Sequence, residues 1–168
     1  MKTLLKLALA GFAALSMSAH AGGILYSFTT INIDAPASRI WDVVKDFDGL
    51  ETWHPVFVND VLKSGTNNEV GAIRTLTIKE GPSFDEELLK WNAAERQYTY
   101  RVIDPNPLPI LEYTSTLKVM QLEPGVSTVI WSSSYRNNSD GKMSDDELIA
   151  FLNGVYKAGL DAVKAGLK

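Results

Sequence analysis

Residues 144–167 form the stretch that most constrains what this chain can fold into. Apolar residues recur there every three or four positions, the period of one helical face, and the opposite side is almost wholly polar. Ser144 followed by Glu147 predicts a capping box at the start of a helix. A long, one-sided helix must bury its apolar stripe, and a β-sheet is the layer that the preceding sequence offers. The stripe comprises Leu148, Phe151, Leu152, Val155, Tyr156, Leu160, Val163 and Leu167.

Two glycines interrupt this predicted helix. Gly154 and Gly159 lie on or beside the apolar stripe. Each costs up to about 1 kcal/mol relative to alanine inside a helix. We therefore expect another element, or a ligand, to approach the helix closely at both positions.

The first 21 residues have the pattern of a secretory signal peptide. Lys2 and Lys6 precede an apolar run, and a small-residue cleavage motif ends at Ala21. Cleavage after Ala21 would leave one ordinary domain, residues 22–168, in the periplasm, with no stable membrane anchor. The alternative is a buried N-terminal helix.

Composition excludes several classes of function. The formal charge of −4 becomes −6 once Lys2 and Lys6 leave with the signal peptide, which argues against nucleic acid or an anionic membrane as a partner. The chain has no cysteine and two histidines, of which only His54 would remain after cleavage. With phosphate loops, EF-hand spacing and zinc-protease motifs also absent, we expect no metal and no cofactor.

Between the signal peptide and the terminal helix, strand-like segments dominate. Asp34-Ala35-Pro36 predicts the start of a helix, and residues 50–55 a second short one. The order β-α-α-β6-α predicts an α+β fold in which a curved antiparallel sheet grips a long C-terminal helix. The predicted strands are residues 24–33, 56–63, 71–79, 84–91, 97–103, 110–122 and 127–135.

Alternation along these strands assigns their faces. Tyr98, Tyr100 and Val102 share one side. Apolar sets of this kind should all point toward the C-terminal helix. Because tyrosines, the charged Arg74 and either Glu86 or Glu87 lie on strands that should partly face inward, we expect a cavity in this domain.

The ordered set of motifs resembles the START-like, or Bet v 1-like, superfamily and its polyketide cyclase/dehydrase-like group. The matching motifs run from Ala35-Pro36 through Trp53-His54-Pro55 to Val129-Ile130-Trp131. The stretch from Gly154 to Asp161, with the signal peptide, is most similar to the MxaD-type periplasmic proteins of methanol-oxidising bacteria. That resemblance implies an accessory role beside methanol dehydrogenase and its cytochrome.

His54 has three open interpretations. It can serve as a general base, as a donor that orients a ligand, or as a purely structural side chain. No nucleophile signature accompanies it, which leaves a serine-type triad without support.

Arg74 and Glu86 lie among apolar residues on neighbouring predicted strands. If their side chains point to the same face of the sheet, they form a buried pair. Buried charges must be paired or must bind something polar. The pair would then hold the polar end of a ligand; the alternative is an ion pair on the sheet surface.

The remaining site candidates are mostly aromatic. A solid core explains any one of them, whereas several buried phenols together need polar partners such as a pocket supplies. The predicted ligand-binding set is Trp53, His54, Arg74, Glu86, Tyr98, Tyr100, Tyr113, Trp131, Val155, Tyr156 and Gly159.

Three functions remain open at this point. The first is a non-enzymatic module that binds a small hydrophobic molecule or docks on a periplasmic dehydrogenase or cytochrome. The second is a cyclase or dehydratase with His54, Arg74 and Glu86 as its catalytic groups. The third is a carrier of lipids or other hydrophobic molecules.

Overall fold

The computed structural model describes residues 23–167, so the predicted signal peptide lies outside the described part. All seven predicted strands are present, with bounds within two residues of those expected. Only a 3₁₀ turn forms where a second short helix was predicted. In chain order the elements are β1 (Leu25–Ile33), α1 (Ala37–Val44), the 3₁₀ turn (Leu50–Thr52), β2 (Phe57–Ser64), β3 (Ile73–Ile78), β4 (Ser83–Asn92), β5 (Gln97–Val102), β6 (Ile110–Glu123), β7 (Val126–Asn137) and α2 (Asp145–Gly166).

The strands form one antiparallel sheet in the order β1-β7-β6-β5-β4-β3-β2. Strands β2 to β7 are joined by short connections and therefore lie side by side. Register shifts interrupt the pairing of β2 with β3, of β4 with β5 and of β6 with β7. Such bulges bend strands, and the sheet curves to form a concave face. The predicted helix-grip α+β fold is confirmed.

Helix α2 packs against β1 and β7. Both hydrogen bonds of the predicted capping box are present: the Glu147 N–H donates to Ser144 Oγ at 3.3 Å, and the Ser144 N–H donates to Glu147 Oε2 at 2.8 Å. The buried stripe is narrower than predicted, because Phe151 is 52 % exposed. Asn153 accepts the Phe28 N–H at 3.0 Å, so α2 also covers part of the β1 edge.

The concave face is shared between two helical segments, which corrects the expectation that every apolar set faces α2. Tyr98 packs beneath α1, with ring centroids 6.2 Å from Trp41 and 6.5 Å from Phe47 in the loop that follows. Since the segment from α1 to the 3₁₀ turn crosses from β1 to the opposite edge, it fills this half of the concavity. The half beneath the start of α2 is left for a cavity.

The two helical glycines differ in their surroundings. A Cβ on Gly159 would lie 2.7 Å from His54 Nε2 and 3.1 Å from Trp53 Cζ3, so the predicted close approach is confirmed there. A Cβ on Gly154 would meet nothing within 4 Å. The prediction for Gly154 is therefore wrong: this glycine lies on a face of α2 that no other element covers.

Candidate functional site

A cavity of about 440 Å³ lies between the concave face, the first half of α2 and two proline-containing loops. Its wall is largely apolar. The sheet contributes Phe57, Ile78, Phe84, Glu86, Tyr100, Val102, Ile110, Tyr113 and Trp131. The helix and the connecting segments contribute Leu50, Val56, Pro82, Pro107, Leu108, Pro109, Leu148, Phe151, Leu152, Val155 and Tyr156.

Six of the eleven predicted ligand-binding residues line this cavity, and five do not. The lining residues are Glu86, Tyr100, Tyr113, Trp131, Val155 and Tyr156. Trp53, His54, Arg74, Tyr98 and Gly159 lie behind the wall. The exposed Phe151 and the proline-containing loops lie around the cavity as well, and the predicted set did not include them.

His54 is buried and bonded through both ring nitrogens. Its Nδ1 accepts the Val56 N–H at 3.2 Å, so its Nε2 carries the proton and donates to the Val155 carbonyl at 3.1 Å. Burial lowers the pKa of His54 to about 4. The ring is therefore neutral at physiological pH, and it ties the segment after the 3₁₀ turn to α2. Of the three interpretations of His54, this geometry favours the structural one.

Aromatic rings around His54 support the cavity wall from behind. Trp131 meets the His54 ring edge-on at 5.7 Å and lies 5.8 Å from Trp53. On its other side Trp131 stacks on Tyr156 at 4.8 Å, with 13° between the ring planes. Gly159 leaves the space that His54 and Trp53 occupy. These residues fix the positions of Trp131 and Tyr156 at the cavity.

Arg74 is the centre of a buried charge cluster. Its Nε and Nη2 donate to Glu86 Oε2 at 2.9 and 2.6 Å. Its Nη1 donates to Asp60 Oδ2 at 3.1 Å and also to the Phe47 carbonyl. The guanidinium carbon lies 4.3 Å from the centre of the Phe47 ring. The expected buried pair is therefore present, but Arg74 binds protein groups rather than facing the cavity.

Asp60 completes the cluster and was missed in the sequence. Its Oδ2 also accepts the Leu50 N–H at 3.0 Å, so it anchors the 3₁₀ turn to β2. Its other oxygen, Oδ1, is buried without a hydrogen-bond partner in the described part of the chain. One signal for its burial was that Asp60 lies on the same side of β2 as Leu62. In the sheet, Asp60 pairs with Leu76 of β3 and Leu62 pairs with Arg74.

Burial raises the pKa of both carboxyl groups that face Arg74, although the arginine itself favours their charged forms. Burial raises the pKa of Glu86 to about 7, against the opposing effect of Arg74. The same cause raises the pKa of Asp60 to about 6. Of the three groups, only Glu86 contributes to the cavity wall.

A hydrogen-bond network links the phenols of the cavity. Tyr113 and Tyr156 are joined by a 2.8 Å hydrogen bond, and Tyr156 donates to Ser133 at 2.6 Å. The Trp131 indole N–H lies 3.0 Å from both the Tyr100 oxygen and Ser115 Oγ. Burial raises the pKa of Tyr156 to about 12 and the pKa values of Tyr100 and Tyr113 well above their usual range. All three phenols stay protonated at neutral pH.

Residues 23–167 offer neither a metal site nor a membrane-spanning helix. No cluster of three histidine, aspartate or glutamate side chains there could hold a metal ion. Neither helix in the same range is long and apolar enough to cross a membrane.

Solved structures similar to this chain come from several bacteria. The protein XoxI from Bacillus cereus has a TM-score of 0.75 at 28% identity, covering 84% of this chain and 94% of its own. A protein from Bacillus thuringiensis has a TM-score of 0.74 at 28% identity, covering 84% and 97%. One from Thermobifida fusca has a TM-score of 0.73 at 25% identity, covering 83% and 90%.

Sequence comparison identifies the family. No curated protein matches the chain. The family model described as polyketide cyclase / dehydrase and lipid transport matches residues 28–168, nearly the whole predicted domain. Together with the helix-grip fold and the apolar cavity, that match is consistent with the START-like, Bet v 1-like superfamily and with binding of hydrophobic ligands. The chain therefore belongs to the polyketide cyclase/dehydrase and lipid transport family.

Proposed function

We propose that this chain is an exported protein that binds one small hydrophobic molecule in the cavity without changing it chemically. The observation that carries the proposal is the cavity itself, about 440 Å³ in volume and lined largely by apolar side chains. This volume falls within the range of roughly 300–1,000 Å³ typical of small-molecule sites. The few polar groups on the wall would orient a ligand.

The catalytic alternative has less support. A cyclase or dehydratase was predicted to use His54, Arg74 and Glu86. Both nitrogens of His54 are bonded to the backbone, and its pKa is lowered to about 4. Arg74 donates from Nε, Nη1 and Nη2 to protein groups. Of the three predicted groups, Glu86 alone would meet a substrate in the cavity.

The binding proposal is tested by titration with N-phenyl-1-naphthylamine, an uncharged apolar probe that fluoresces when it leaves water. Val102 is buried and lines the cavity, whereas Val58 is 55 % exposed. Val102→Phe therefore adds a ring inside the cavity, and Val58→Phe adds the same ring at the surface. We expect saturable binding to wild type and Val58→Phe, and at least about tenfold weaker binding to Val102→Phe, which corresponds to about 1.4 kcal/mol.

Two results would contradict the proposal. The first is equal affinity in all three proteins, which would place the probe outside the cavity. The second is no saturable binding to the wild type. Unfolding measurements on both variants serve as the control for folding.

Export and partners are separate parts of the proposal. Export rests on the signal-peptide pattern in residues 1–21, and mass spectrometry of periplasmic protein should find an N-terminus at Gly22. An intact Met1 on the mature protein would contradict it.

Docking on a periplasmic dehydrogenase or cytochrome rests on the resemblance to MxaD-type proteins. Carriage of lipids is the third candidate, and the lipid-transport part of the family description favours it.

A further inference from the structure

The hydroxyl groups on the cavity wall differ in whether each already donates its hydrogen to a protein acceptor. Tyr156 donates its hydrogen to Ser133, so it accepts from Tyr113 in their shared 2.8 Å bond. Tyr100 accepts from the Trp131 N–H at 3.0 Å, because an indole N–H only donates. In the described part of the chain, no acceptor binds the hydrogen of Tyr100. Tyr100 is thus a buried hydroxyl with a donor left for a ligand.

Glu86 offers the complementary acceptor. Its Oε2 accepts both hydrogen bonds from Arg74, at 2.9 and 2.6 Å. Within the described residues, no donor binds its Oε1. Since Arg74 is also held by Asp60 at 3.1 Å, it keeps the carboxylate fixed with one oxygen bound and the other free. Glu86 is buried and belongs to the cavity wall.

These two groups are neighbours on one wall. Tyr100 pairs with Leu88, two residues along β4 from Glu86, and both side chains are buried on the concave face. Diagonal neighbours on adjacent strands lie roughly 7–8 Å apart at Cα, within reach of long side chains. The guanidinium that holds Glu86 lies 5.4 Å from the centre of the Tyr100 ring. One donor and one acceptor therefore lie on the same wall of a largely apolar cavity.

We propose that Glu86 and Tyr100 form a subsite for a hydroxyl group, so that the ligand is an apolar alcohol or phenol. The inference rests on the proposed function and narrows its ligand class. A hydroxyl accepts the Tyr100 hydrogen and donates to Glu86 Oε1, which uses both free positions.

A ketone, a hydrocarbon and a carboxylate each fit these two positions less well than a hydroxyl does. A ketone accepts from Tyr100 but donates nothing to Glu86. A hydrocarbon uses neither group. A carboxylate would meet the charge of Glu86 in a site with little water, and the unpaired charge is costly. The subsite therefore ranks alcohols above ketones and ketones above hydrocarbons.

The test uses three probes with one skeleton: 4-tert-butylcyclohexanol, 4-tert-butylcyclohexanone and tert-butylcyclohexane. Each displaces N-phenyl-1-naphthylamine from the protein at pH 8, above the pKa of Glu86 of about 7. Hydrogen bonds to charged groups exceed neutral ones in strength, so we expect the alcohol to bind about tenfold or more tightly than the hydrocarbon. The ketone should fall between them.

Three variants assign the preference to individual groups. Tyr100→Phe should weaken the alcohol and the ketone by about threefold or more and leave the hydrocarbon unchanged. Tyr135→Phe is the matched control, because Tyr135 is buried outside the cavity wall with its hydroxyl bonded to Ser27 at 2.7 Å, and all three ratios should stay as in wild type. Glu86→Gln presents an amide donor or acceptor without charge, so it should weaken the alcohol more than the ketone.

The outcomes separate the two proposals. Equal displacement by all three probes in the wild type would overturn the hydroxyl subsite while leaving the cavity as a binding site. Equal ratios in Tyr100→Phe and Tyr135→Phe would also overturn the subsite, even if Glu86→Gln failed to fold. Failure of N-phenyl-1-naphthylamine itself to bind the wild type would instead refute the proposed function.

Discussion

Replacing each helical glycine by alanine should change stability in opposite directions. At Gly154 the added Cβ meets nothing within 4 Å. Alanine is favoured over glycine inside a helix by roughly 0.8–1 kcal/mol, so Gly154→Ala should raise the unfolding free energy by about that much. The same gain applies at Gly159, but there the new atom meets occupied space.

The cost at Gly159 comes from two identifiable contacts. The Cβ would lie 2.7 Å from His54 Nε2 and 3.1 Å from Trp53 Cζ3. Overpacking of a buried site costs about 1–3 kcal/mol. Displacing the His54 ring from the Val155 carbonyl would add about 1–3 kcal/mol for an unsatisfied buried donor. After the gain in helix propensity, Gly159→Ala should lower the unfolding free energy by about 1–5 kcal/mol.

Urea denaturation of the wild type and both variants measures this difference directly, because the midpoint and slope give the unfolding free energy. Gly154→Ala is the matched control, with the same substitution in the same helix. If Gly159→Ala were as stable as the wild type or more stable, the close packing of His54 against Gly159 of α2 would be refuted.

Three further outcomes follow from the buried groups. The folded-state pKa of His54, about 4, lies below its usual value of 6.5. The neutral ring therefore stabilises the fold above pH 6.5, and that contribution is lost as the pH falls toward 4. Between pH 7 and 4.5, urea denaturation should show the wild type losing about 2–3 kcal/mol of unfolding free energy relative to His54→Gln. Leu160→Ala should lower the unfolding free energy by about 2–5 kcal/mol, since Leu160 is fully buried, and an unchanged urea midpoint would refute that packing. Arg74→Met leaves Asp60 and Glu86 without their cation and should cost about 3–5 kcal/mol in the same assay, whereas a surface-like loss below 1 kcal/mol would contradict the buried cluster.

Much of the fold was predictable because it depends on local patterns. The period of α2 and its capping box, with Ser144 and Glu147, are properties of a continuous stretch. The alternation of Tyr98 and Tyr100 assigned their inward face, since the side-chain period of a strand is two. Alternation does not say which helix covers that face, and Tyr98 packs under α1 instead of α2.

The site was predictable only in part, because its contacts join distant parts of the chain. His54 was left with three interpretations, since its Val155 partner is 101 residues away. Asp60 was missed because an acidic residue on an edge strand usually faces water, and only its register with β3 shows otherwise. Gly154 was misjudged because periodicity shows which face is apolar but not whether another element covers it.

The central claim is that a small hydrophobic molecule binds inside the cavity. Intermolecular NOEs between unlabelled N-phenyl-1-naphthylamine and methyl-labelled protein test it most directly. Methyl groups on the cavity wall should give the contacts, in particular those of Leu50, Val102, Ile110 and Leu152. NOEs confined to the exposed Val58, Val61 and Val70 would place the probe on the surface and contradict the account.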